Sequence, residues 1–250
     1  MSDEAQQCFN SVAGALQDGD EATAFQIFVA TWKTLSYDER RHLRDVINSE
    51  LLSNKEREIS AHGIFRTFRF WTVHEKAELV GFAGEVIGAL RDVMGLPACI
   101  GYGTALGVAR SNDLIAHDDD VDVVVAVPFD DYPTFKAGLG GIRSAFAAQP
   151  DFVNPEVFHG HMKFARASLT VDVFVAIQEG EHISSFPGPR KGILFKDVFP
   201  AKKIELFGAS IEAPADPDTY LSKVYGPEWR TPNPLFGHNW STEKFEDLIG

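Results

Sequence analysis

The stretch HDDDVDVVVAV, residues 117–127, packs four aspartates into five positions and then turns almost wholly apolar. Carboxylates that close repel one another, so a chain folding them beside an apolar run must supply a counter-charge. In a strand, side chains two apart share a face. That period puts Asp118, Asp120 and Asp122 on one edge of a cleft and turns Asp119 away. Two carboxylates so spaced can clamp a hard divalent cation. Mg²⁺ suits such a site, because phosphate oxygens of a substrate complete its octahedron. A further carboxylate, Asp172, sits inside the apolar run TVDVFVAI. An ionised group there is costly unless paired, metal-bound or on a solvated edge strand. Together the acids make the arrangement used in two-metal phosphoryl or nucleotidyl transfer.

Three plainer readings compete. A solvated acidic loop is opposed by the direct entry into VVVAV. A calcium-binding EF-hand fails on spacing: counting from Asp118, the sixth position is Val123 rather than Gly and the twelfth is Phe129 rather than Glu. A DxD glycosyltransferase fits the acidic pair taken alone.

Just upstream lies GYGTALGVAR, residues 101–110. Gly103, Thr104 and Gly107 at a helix start let backbone N–H groups approach phosphate oxygens, and Arg110 can add a bidentate contact. Downstream, HGHMKFAR offers His159, His161, Lys163 and Arg166. Lys163 is the candidate phosphate counter-charge. The two histidines could ligate a metal, although such residues are more often the wet face of a strand. Arg190, Lys191 and Lys196 form the densest positive patch, either a loop over the substrate or a solvated one.

These residues need elements to hold them. Residues 1–60 read as helices: Phe9, Val12, Ala13 and Leu16, then Phe25, Phe28, Val29 and Trp32 recur at helical spacing. Ser36–Glu39 is a capping box ahead of Leu43, Val46, Ile47 and Leu51. Residues 54–70 read as a connector. An amphipathic helix follows from Trp71 to Met94, with Leu79, Phe82, Ala83, Val86, Ile87, Leu90, Val93 and Met94 in one stripe. ACIGY is a short strand and DVDVVVAV another. A helix after them turns Phe135, Leu139, Ile142 and Phe146 inward. HMKFARA and LTVDVFVAI form a hairpin, KKIELFGASIEAP a second one around Gly208. A last helix has Asp216 as N-cap, Pro217 at its first position and Gly226 at its end. The class is α/β or α+β with a small mixed sheet. The division is an N-terminal helical appendage, 1–60, and a catalytic domain, 71–250.

Composition narrows the function. The 250 residues are 44% hydrophobic, enough for one sizeable domain and an appendage. A formal net charge of −13 opposes a broad nucleic-acid surface, so a phosphate-bearing ligand needs a cation or a few placed Lys and Arg. Two cysteines, Cys8 and Cys99, imply neither a four-thiolate zinc site nor a disulfide framework. There is no signal-peptide pattern and no apolar run long enough to span a bilayer, so the expected location is the cytoplasm.

The segment GYGTALGVARSNDLIAHDDDVDVVV resembles the signature of the LicD/fukutin-related family, a glycine-rich motif ending in Arg followed by W-D-D-D-x-D. TVDVFVAI is similar to the family's later acidic strand. DVFPAKKIELFGASIEAPADPDTYLSKVYGPEW is similar to its closing stretch. The resemblance runs from about Trp71 to Trp229. It implies a polymerase-β-like nucleotidyltransferase core and a transferase that moves a phospho-alcohol, such as phosphocholine or a polyol phosphate, from a CDP-activated donor to a sugar or glycan hydroxyl. It implies Mg²⁺ or Mn²⁺ on Asp120, Asp122 and Asp172, with Asp118 as an orienting residue. Gly103, Thr104, Gly107 and Arg110 match the glycine-rich motif. His117 stands where the family usually has Trp, and Leu114–Ile115–Ala116 replaces Phe-Ile-Pro. Two alternatives stay open: a nucleotidyltransferase that adds a nucleotide to a small molecule or protein, and a non-catalytic binding protein that kept the fold.

Overall fold

The structure is a computed structural model of residues 1–250. It describes all of them except 61, 150–151, 153–155, 158–159 and 234–235, and at Glu156 and Val157 the backbone alone. The chain packs as two compact units. The first comprises residues 1–71, 116–119 and 233–237, and the second comprises 72–115, 120–232 and 238–250.

In the first unit, Ser2 caps α1 (Asp3–Gln17) by accepting from Ala5 N–H, and Asp20 caps α2 (Glu21–Trp32) by accepting from Thr23 N–H. α3 (Tyr37–Ile47) opens on the expected capping box of Ser36 and Glu39. A short antiparallel pair follows, β1 (Glu58–Ile59) with β2 (Ile64–Phe65). Ala5, Cys8, Val12 and Leu16 meet Ala24, Phe28, Leu43 and Ile47 in one core. In α2 the buried pair is Ala24 and Phe28, four apart, which rotates Val29 out to 39% exposure.

Residues 116–119 fold with this unit and not as a strand. Phe68 N–H donates to the Asp118 carbonyl at 2.8 Å and Arg69 N–H to that of Ala116 at 2.7 Å. The strand begins only at Asp122. The period-2 argument therefore does not reach Asp118 or Asp120, because the backbone upstream is committed to residues 68 and 69. Asp119, expected to turn away, stands 3.2 Å from His62 Nδ1.

In the second unit, α4 (Val73–Met94) starts at a Thr72–Glu75 capping box and ends at left-handed Gly95. Leu79, Phe82, Ala83, Val86, Ile87 and Leu90 are buried as the stripe requires. Val93 is exposed and Met94 half-buried, in the last turn of the helix. Next come β3 (Ala98–Ile100), α5 (Tyr102–Ser111), β4 (Asp122–Pro128) and α6 (Phe135–Phe146). Phe135, Leu139, Ile142 and Phe146 face inward. After β5 (Glu156–Val157), β6 (His161–Arg166) and β7 (Leu169–Glu179) form the expected hairpin, turning at Ala167 with φ +53°. β8 (His182–Ser185) and β9 (Ile193–Leu194) lead to α7 (Phe195–Val198). β10 (Lys202–Leu206) and β11 (Ala209–Ala213) make the second hairpin, with Gly208 at φ +81°. α8 (Pro217–Tyr225) has its Asp216 cap, and α9 (Glu246–Ile249) ends the chain.

The main sheet runs β3-β4-β7-β6-β5, with β8 and β9 continuing from the far half of β7. β4 and β7 are parallel, and their ladder places Asp122 opposite Asp172. β3, β6 and β8 pair antiparallel, so the sheet is mixed. β4 reads as a continuous apolar run because both its faces are covered; all its residues from Asp122 to Val127 are buried.

Candidate functional site

Asp122 opens β4 and Asp172 lies near the start of β7. Register makes them direct neighbours on one face, with strands about 4.8 Å apart. Both are buried, at 8% and 6% exposure. The backbone fastens each in place: Gly101 N–H donates to the Asp122 carbonyl, and Asp172 N–H to that of Val121, both at 2.9 Å.

The two carboxylates are compensated differently. Asp122 Oδ2 accepts from Gly103 N–H at 2.9 Å, and Asp122 N–H donates to Thr104 Oγ1 at 2.8 Å. Gly103 and Thr104 belong to the first turn of α5, whose dipole favours a negative charge there. Asp172 is met by side chains of β6. Lys163, opposite it in register, brings Nζ to 3.1 Å from Oδ1, and His161 brings Nε2 to 3.6 Å from Oδ2. Among the described residues buried Oδ1 nevertheless accepts no hydrogen bond, so the lysine is close as a charge but badly angled as a donor. His161 stacks on Phe174 at 4.8 Å.

The other expected residues fall as follows. Asp120 is half-buried and directly precedes Val121 and β4. Asp118 and half-buried His117 belong to the first unit, where Asp118 Oδ1 accepts from Asp119 N–H at 3.1 Å. Gly107 is required by packing: a Cβ there would stand 2.6 Å from the Asp113 carbonyl. Arg110 gives Nε to the Trp229 carbonyl at 2.8 Å, and one terminal nitrogen to the carbonyls of Trp229 and Thr231. It ties α5 to the segment after α8, and burial pulls its pKa down. Arg166 forms a double ion pair with Glu85. His159 lies outside the described residues. Arg190 is not freely solvated; it binds Glu179 and Asp247.

Sequence patterns passed over Tyr102 and the side chains around it. Tyr102 is buried between Phe174, at 4.6 Å between centroids, and His238, at 5.6 Å. Its hydroxyl bonds Ser185 Oγ, and its N–H donates to Tyr220 Oη at 3.1 Å. The one local signal was a bulky residue set between two glycines.

The donor set suits a hard cation. Asp122 and Asp172 offer carboxylate oxygens side by side, and Asp172 Oδ1 is a buried acceptor without a hydrogen bond. In the first unit, His62 and Asp118 each bring one ligand atom within 4.8 Å of the other.

Two solved structures are similar to parts of this chain. The complex of CdnC with HORMA-deltaN from E. coli MS115-1 matches at 16% identity over 58% of this chain and 41% of that one, with a TM-score of 0.35. ANT(2")-Ia in complex with adenylyl-2"-tobramycin matches at 17% identity over 64% of this chain and 80% of that one, with a TM-score of 0.36. No curated protein matches. No helix among the described residues is long and apolar enough to cross a membrane. Residues 95–216, from the end of α4 to the cap of α8, match the family described as LicD/FKTN/FKRP, nucleotidyltransferase domain. The acid pair, the glycine-rich turn and the strands between them thus lie inside the segment that matches this family model.

Proposed function

We propose that this chain is a Mg²⁺- or Mn²⁺-dependent transferase that moves a phospho-alcohol from a CDP-linked donor to a hydroxyl of a sugar or glycan. The observation that supports this most is the registered pair of buried aspartates, Asp122 beside Asp172. Residues 71–250 carry the reaction and residues 1–60 are an appendage. Asp120, Asp122 and Asp172 hold the cation. When bound, it would supply positive charge to the donor's diphosphate and to the transferring phosphoryl group.

The chain's own residues do the rest. Gly103 N–H and Thr104 Oγ1 fix Asp122, so its carboxylate needs no reorganisation during the reaction. Lys163 holds a positive charge next to Asp172, where it would counter the charge of the donor phosphates. The acceptor oxygen attacks the phosphorus that bears the alcohol. The bond from that phosphorus to the bridging oxygen breaks, CMP leaves, and Asp172 receives the acceptor's proton.

The test is a thermal-shift screen with CDP-choline, CDP-ribitol, CDP-glycerol, nucleoside triphosphates and nucleotide sugars, each with Mg²⁺. A CDP-alcohol should raise the melting temperature by mass action, and turnover should release CMP. A nucleotide left on the acceptor would instead establish nucleotidyl transfer, since the same acids serve both reactions.

A further inference from the structure

Tyr102 carries φ of +36°, in the left-handed region where a bulky side chain is out of place. Such a conformation persists only where its surroundings over-determine it. Here the surroundings are visible. Tyr220, 118 residues further along on α8, is 2% exposed and accepts the Tyr102 N–H at 3.1 Å. Ser185 bonds the Tyr102 hydroxyl, and Phe174 packs on the ring. On the other side, Gly101 leaves no room for adjustment: a Cβ there would collide with Val124 and come within 3.2 Å of Tyr220 Oη.

What this held turn accomplishes is set by the next peptide. The plane joining Tyr102 to Gly103 carries the N–H that donates to Asp122 Oδ2 at 2.9 Å. Its direction follows from the backbone torsions of Tyr102. A buried phenol needs a hydrogen-bond partner, and this one spends its oxygen on a backbone N–H one residue from an acidic ligand candidate. We propose that Tyr220 is a positioning residue for the acid pair. Its hydroxyl pins the strained Tyr102 turn, and that turn aims the Gly103 N–H which orients Asp122 toward a bound divalent cation. The proposal rests on the cation reading of Asp122 and Asp172.

The experiment measures Mn²⁺ binding to the full chain by electron paramagnetic resonance, with circular dichroism and melting curves on the same samples. The wild type should bind, and Asp122→Asn should not. Tyr220→Phe keeps the ring and removes one oxygen. It should raise the Mn²⁺ dissociation constant about tenfold, as loss of an outer positioning group does, with an unchanged dichroism spectrum. Ser185→Ala loosens the other end of Tyr102 and should raise it roughly threefold. A purely structural tyrosine would lower the melting temperature and leave the dissociation constant alone. Wild-type affinity in Tyr220→Phe overturns the proposal, and if that variant does not fold, wild-type affinity in Ser185→Ala does so. A wild type that ignores Mn²⁺, or an Asp122→Asn protein that binds normally, removes the cation reading and this proposal together.

Discussion

Strand β7 carries a carboxylate near each end, buried at Asp172 and half-buried at Glu179, and the two ends treat it differently. At Glu179 the charges are matched. Arg190 gives it two hydrogen bonds, Ser184 a third at 2.5 Å, and Lys191 stands 3.2 Å away. Burial alone would raise the Glu179 pKa; Arg190, Ser184 and Lys191 together outweigh it and hold the carboxyl below its usual range. Arg190 is in turn held protonated, by Asp247 first, against burial, and then by Glu179. At Asp172 the arrangement is looser. A second carboxylate lies alongside, one lysine is misaligned, and a histidine is 3.6 Å away. A matched cluster closes the fold, fastening α9 to the sheet. The pair of neighbouring acids with a misaligned partner is what the proposed cation would neutralise.

The largest effect should come from the Asp172 end. Asp122→Asn and Asp172→Asn should each lower transfer by about 1000-fold, the scale of several kcal/mol of lost charge stabilisation, in proteins that still fold. Steady-state rates beside circular dichroism decide it; retained turnover would erase the contrast.

The Glu179 end should break in the opposite sense. Arg190→Ala leaves Glu179 half-buried without its main partner, which should cost about 2 kcal/mol and lower the melting temperature by roughly 5 °C. The rate per folded molecule should stay near wild type. Lost activity at unchanged stability would mean that Arg190 meets substrate after all. The acid dependence sharpens the point. The folded Glu179 pKa lies below its unfolded value, near 4.3, so its stabilisation is present above that pH and is lost as pH falls through the folded value. Urea titrations of the wild type and Arg190→Ala should therefore converge as pH falls through the lowered Glu179 pKa.

His238, which packs on Tyr102, gives a smaller effect. Burial pushes its pKa down to about 4 from 6.5. The unfolded chain takes up that proton first on acidification, so stability rises with pH between those two values, by at most about 1.4 kcal/mol per unit. His238→Phe should flatten the slope, as read from melting temperature against pH; an unchanged slope would assign it elsewhere. The smallest effect should be that of Asp119→Asn. It loses one ion pair to a half-exposed histidine, worth about 1 kcal/mol or less, and transfer should change by less than about fivefold. A larger loss would bring the 116–119 segment into the reaction.

The acid pair was legible because both aspartates interrupt apolar runs, and the alternation of a strand makes an inward carboxylate conspicuous. The helix caps at Ser36, Thr72 and Asp216 were equally local: Ser36 is read from Glu39 three residues on, Asp216 from Pro217 beside it, and Thr72 follows the rule of Ser36. What escaped was set by distant partners. Asp118 and Asp119 leave the strand because Phe68 and Arg69 donate to the carbonyls of Asp118 and Ala116, and nothing in the acidic run announces that. Arg110, expected to contact phosphate, donates to the Trp229 carbonyl 119 residues further on, a partner no local pattern announces. The Tyr102–Tyr220 bond spans 118 residues, beyond any periodicity. The family resemblance covered this interval without indicating that its motifs touch.

The parallel register of β4 and β7 has one more consequence, for how such a chain can change. The acids meet by counting along a seven-residue ladder, not by the length of the connection from Phe129 to Ser168. Lengthening that connection costs little, because closure entropy grows only logarithmically with loop length. A single inserted residue within either strand would turn one aspartate to the opposite face of the sheet. Length variation is thus tolerable outside the ladder and disabling within it.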